Sequence, residues 1–63
     1  MIQPLLLRPT EVATAIGVSR SKAYELLARG VIPSIRVDGV VRVPVESLRS
    51  WIAARLAEQG EPR

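Results

Sequence analysis

The 63-residue chain contains no cysteine and no histidine. Without cysteine there is no disulfide framework and no thiolate metal site, which suits a reducing cytosol. Without histidine, the commonest general base and the commonest zinc ligand are both missing. No nucleophile–base pair or metal-ligand set stands out, so no catalytic residue, cofactor or metal is expected, and an enzyme is the least expected class. Aromatics are scarce as well: Trp51 and Tyr24 are the only two, and phenylalanine is absent. A core must therefore be assembled from Val, Ile, Leu and Ala. Long apolar runs are missing too. Leu5-Leu6-Leu7, bounded by Pro4 and Arg8, is far short of a signal-peptide core or a membrane span. A cytoplasmic protein with no membrane partner is the expectation.

The hydrophobic share of 48% is ordinary for a globular domain and too high for a disordered chain. A chain of this length forms one small domain, burying only about 60% of its unfolded surface. We expect that domain to occupy 1–63, with its core in 6–57 and a flexible tail over 58–63. The net charge is +3, and its placement is more informative than its size. Residues 19–42 carry Arg20, Lys22, Arg29, Arg36 and Arg42 against Glu25 and Asp38, whereas the segments on either side are each neutral. A basic middle between neutral flanks fits an electrostatic footprint for a polyanion, the alternative being a solvated face that happens to be basic.

Local signals predict helix, tight turn, helix, β-hairpin, helix. Pro9 suits the first helical position, Glu11 favours the positive end of the helix dipole, and Val12, Ala13 and Ile16 share one face. Gly17 supplies the left-handed stop, giving a first helix over Pro9–Ile16. Ser19 is an N-cap for a second helix over Arg20–Arg29, with Ala23, Leu26 and Leu27 as its apolar face and Gly30 after its end. Two extended segments follow, Ser34–Val37 and Val41–Val43. A two-residue Asp38-Gly39 turn is the strongest local hairpin signal, but it mixes polar and apolar residues on both faces. A three-residue loop instead pairs Val37 with Val41, Arg36 with Arg42 and Ile35 with Val43. That register gives an apolar inner face and an arginine outer face, and we expect burial to select it, leaving Val40 exposed at the tip. A third helix after Pro44 runs to Ala57, with Leu48, Trp51, Ile52, Arg55 and Leu56 at helical spacing. Trp51 is expected as the largest core side chain, with the Arg55 stem along the edge.

Two short helices joined by Gly17-Val18-Ser19 make a helix-turn-helix, in which the second helix enters the DNA major groove. Arg20 can reach guanine O6 and N7, and Ser21 can donate or accept at several bases. Lys22 and Arg29 suit phosphates, and Ser19 with its neighbouring N–H groups offers an anion site. Tyr24 can donate to phosphate or pack on a thymine methyl. Glu25 is expected to pair with Arg29 at i+4, the alternative being acceptance from a cytosine amino group. Arg36 and Arg42, side by side, are mutually repulsive in water, a penalty that a phosphate backbone or a narrow minor groove removes.

The run Leu7-Arg8-Pro9-Thr10-Glu11-Val12-Ala13, then Ile16-Gly17-Val18-Ser19-Arg20-Ser21, then Tyr24-Glu25-Leu26, resembles the small excisionase family of winged helix-turn-helix proteins, related to MerR-type DNA-binding domains. The likeness continues through Gly30-Val31-Ile32-Pro33, Arg36-Val37, Arg42-Val43-Pro44, Leu48 and Trp51-Ile52. It implies an α+β, mostly α, winged fold. Ser19, Arg20, Ser21, Lys22 and Tyr24 would lie in the recognition helix, and Arg36 and Arg42 in the wing. It also implies a protein that binds and bends attachment-site DNA and steers an integrase, a tyrosine or serine recombinase, towards excision without cutting DNA itself. Two positions depart from the family pattern. Arg8 stands where Thr or Ser is usual, and Val41 where a bulky aromatic is common, which predicts a lighter core under the wing.

A small MerR-like transcriptional regulator is the alternative role, since fold alone does not separate the two. A module that binds only protein is a third. A third helix of about thirteen residues is too short for a stable coiled-coil dimer. The expectation is therefore a monomer that self-associates cooperatively, head to tail, on double-stranded DNA.

Overall fold

In the computed structural model, which describes residues 4–60, the chain runs β1 (Leu6–Leu7), α1 (Pro9–Ile16), α2 (Arg20–Ala28), β2 (Ile35–Val37), β3 (Val40–Pro44) and α3 (Val45–Glu58). The three helices fall where local signals place them. Pro9 opens α1, and the Glu11 carboxylate accepts from the Arg8 N–H at 2.8 Å. An arginine side chain has no acceptor, so that single bond from Glu11 does the capping that Thr or Ser at position 8 would share. Gly17 adopts φ 74°. There the Gly17 N–H donates to Thr14 O at 3.3 Å and the Val18 N–H to Ala13 O at 3.0 Å, the paired bonds of a Schellman stop. The expected tail lies, from residue 61 on, outside the described residues.

The sheet departs from expectation in two ways. First, it has three strands in the order β1-β3-β2. Leu6 pairs with Pro44 and Leu7 with Val43, and the Val45 N–H donates to Leu5 O at 2.9 Å. Two leucines carry no strand signal of their own; β1 exists because β3 offers it an edge. Second, the hairpin closes through the two-residue turn. Ile35 pairs with Arg42, Arg36 with Val41 and Val37 with Val40. Asp38 and Gly39 have φ 50° and 81°, both positive as a type I′ turn requires. The three-residue loop is thus incorrect, and Val40 is a paired strand residue. Burial did not select the register because, of the two hairpin strands, β3 packs on the helices while β2 stays exposed along its length. Ile35 and Val37 remain 45% and 46% exposed, so β2 had no buried face with which to oppose the turn.

A Cβ at position 39 would meet nothing within 4 Å, so Gly39→Ala tests the backbone alone. It should cost about 1–2 kcal/mol and lower the Tm by at least ~4 °C in a circular-dichroism melt. An unchanged Tm would show that the turn is not part of the cooperative unit.

The core is Val12, Ile32, Val43 and Leu48, with Leu7, Ile16, Leu26, Leu27 and Trp51 packed around it. Ala13 and Ala23 are also buried. Ile32, in the connection between α2 and β2, is among the largest fully buried side chains, although no periodicity marks it. Trp51 sits half-buried at the edge of this cluster rather than at its centre. The Arg55 guanidinium lies 5.2 Å from the Trp51 ring centroid, a cation–π distance, and 3.7 Å from Glu58. Beyond Trp51 the apolar stripe of α3 emerges into solvent, with Ile52 and Leu56 exposed.

Candidate nucleic-acid interface

Helix α2 is held by one face and presents the other. Ala23 is fully buried, and Leu26 and Leu27 are half-buried. Ser19 Oγ accepts from the Lys22 N–H at 3.1 Å, which satisfies one of the free donors of the first turn. Arg20, Ser21, Lys22, Tyr24, Glu25, Ala28 and Arg29 are all exposed. The five recognition-helix positions expected from the sequence, Ser19, Arg20, Ser21, Lys22 and Tyr24, are therefore brought to one accessible turn and a half of helix.

Glu25 stands in the middle of that surface. Its Oε1 lies 3.2 Å from Lys22 Nζ and its Oε2 3.2 Å from Arg29 Nη1. The Arg29 pair is the one expected at i+4. The Lys22 pair, at i+3, was equally available from spacing and was missed. The hydrogen bond and charge of Lys22, followed by those of Arg29, hold the Glu25 carboxyl below its ordinary range. All three side chains are exposed, so these pairs add little to stability.

The hairpin does not carry its two arginines together. Residues directly opposite in an antiparallel pair share a face, and successive residues alternate. Arg36 therefore lies with its partner Val41 and with the buried Val43 on the face towards the helices, and Arg42 lies with Ile35 on the other. The expected side-by-side pair is corrected by the observed register. Arg36 borders an open cleft of about 280 Å³, with Tyr24, Leu27 and Ala28 of α2 on one wall and Ser34, Arg36 and Val41 on the other. Val41, where the family pattern often has a bulky aromatic, is half-buried in this cleft. Arg42 is half-buried on the opposite face, its Nη1 donating to Val41 O at 2.8 Å. Ser34 was not expected at this site; nothing in its local sequence marks it, because the cleft is made by the approach of two elements distant in the chain.

Comparison with known proteins agrees with this architecture. The helix-turn-helix domain family matches residues 6–56, a span from β1 through most of α3. A protein named excisionase from Streptomyces ambofaciens is 39% identical over 57 residues, covering 90% of this chain and 92% of that protein. The chain belongs to the family of small helix-turn-helix excisionases. A probable excisionase from Saccharopolyspora erythraea is 34% identical over 55 residues, 87% of this chain. The match covers 56% of that relative, so the chain spans about half its length. No solved structure matches. The helix-turn-helix match over residues 6–56 takes in both walls of the cleft. No helix among the described residues is long and apolar enough to cross a membrane.

Proposed function

We propose that the chain is an excisionase that binds double-stranded DNA, with α2 in the major groove and the hairpin as a wing beside it. The observation that carries this reading is the open arrangement of α2 and Arg36 around one cleft. An exposed helix face with Arg20, Ser21, Lys22 and Tyr24 supplies base-edge and phosphate donors. Arg36 supplies a cation across the cleft, and Arg42 one on the outer flank of the wing. A single helix and a small wing make few phosphate contacts, so affinity for one site is modest. Cooperative binding at adjacent sites raises it. The bound copies bend the attachment-site DNA and direct an integrase towards excision; no step of strand cleavage belongs to this chain.

Footprinting on attachment-site DNA against the protein's own promoter tests this directly. Protection of several adjacent attachment sites, weakening steeply as salt rises, is the expected result. Protection confined to the promoter would instead favour a transcriptional regulator. Binding that ignores salt would rule out the phosphate contacts. Sedimentation should show a monomer without DNA, whereas a stable dimer would sink the cooperative-assembly part of the proposal.

A further inference from the structure

We infer that Glu25 is a specificity-determining residue, which restrains Lys22 and Arg29 so that DNA lacking the correct base edges is held weakly. This inference rests on the proposed DNA-binding role of α2. Glu25 sits on the exposed side of α2, away from buried Ala23. It is the only acidic residue in the Arg20–Ala28 helix. Both of its carboxylate oxygens are engaged, Oε1 by Lys22 and Oε2 by Arg29, each at 3.2 Å. The two cations suited to phosphates are thus both tied to one internal anion in the free protein.

Phosphates must compete with this carboxylate for Lys22 and Arg29, and a carboxylate facing the DNA backbone is itself repelled. On a sequence without matching base edges, binding rests on phosphates alone and meets that penalty in full. Where Arg20, Ser21 and Tyr24 meet matching base edges, those contacts hold the complex and Lys22 and Arg29 can stay with Glu25, so the penalty is largely avoided. A repulsive element that weighs on the wrong partners more than on the right one is a common source of specificity. Exposed ion pairs are individually weak, so Lys22 and Arg29 can exchange partners without disturbing the fold.

The test compares wild type with Glu25→Gln and Glu25→Asp on two duplexes of equal length, one carrying the footprinted site and one of scrambled sequence. Gln has nearly the same helix propensity as Glu, and a circular-dichroism spectrum confirms that α2 is retained. With Glu25→Gln, affinity for the scrambled duplex should rise about tenfold, with a salt dependence steeper by about one unit in log–log slope. Affinity for the specific duplex should rise by no more than about threefold, so the specificity ratio falls. Glu25→Asp, which keeps the charge, should stay close to wild type on both.

Three outcomes overturn the inference. Loss of affinity on the specific duplex alone would mean that Glu25 reads a base, as in acceptance from a cytosine amino group. Equal effects of Gln and Asp would remove charge as the cause, and no change on either duplex would show that the ion pairs do not limit binding. Salt-sensitive wild-type binding to the scrambled duplex shows separately that the DNA-binding reading stands. Complete absence of binding to both duplexes would overturn that reading and this inference with it.

Discussion

Arg36→Ala is expected to weaken DNA binding about tenfold, the loss of roughly one charge-assisted phosphate contact. The slope of log affinity against log salt should become shallower by about one unit. Arg42→Ala should change affinity by less than about threefold and leave the slope nearly unchanged, since Arg42 contributes at most an outer-flank contact. The asymmetry follows from the hairpin register. Pairing of Arg36 with Val41 turns its guanidinium towards the cleft shared with Tyr24, whereas pairing of Arg42 with Ile35 turns it away. Arg42 already has a partner in the Val41 carbonyl. Fluorescence-anisotropy titrations at several salt concentrations read both quantities. Equal losses from the two variants would mean that the wing uses both faces and that the cleft does not define the interface.

Ile32→Ala should be the most damaging single core truncation. Ile32 is 1% exposed, and removing such a side chain costs about 2–5 kcal/mol. A domain of this length has roughly 3–9 kcal/mol of stability in total, so the variant loses much or all of it. The Tm should fall by more than ~10 °C, or the cooperative transition should disappear. Leu56→Ala, on a side chain that is 59% exposed, should stay within about 0.5 kcal/mol of wild type. Comparable melting of the two variants would contradict the position of the core. The contrast is useful because Leu56 belongs to a regular helical stripe and Ile32 to an irregular connection. Periodicity alone would rank them the other way.

The same contrast explains what was legible in advance. Helix α1 spans the predicted residues, α2 ends one residue early and α3 one residue late, because caps, Gly stops and apolar spacing act within a turn of helix. The exposed positions Ser21, Lys22 and Tyr24 follow from the same periodicity once Ala23, Leu26 and Leu27 are placed inward. Strand β1, the burial of Ile32 and the presence of Ser34 at the cleft carry no comparable signal. Each depends on a partner far away in the chain. The hairpin is an intermediate case. Both registers were visible, and the local turn preference prevailed because β2 is exposed along its whole length.

The lack of Cys and His, the shortage of aromatics and the clustering of charge between residues 19 and 42 are properties of the sequence itself. With the helix-forming patterns, they were enough to point to a small helix-turn-helix domain with a basic recognition surface. Tertiary structure decided which residues fill the core, that Leu6–Leu7 becomes a third strand, and that Arg36 and Arg42 part to opposite faces. The division has one physical cause. Caps, turns and helical periodicity are interactions between near neighbours, whereas burial and strand pairing exist only after distant segments have met.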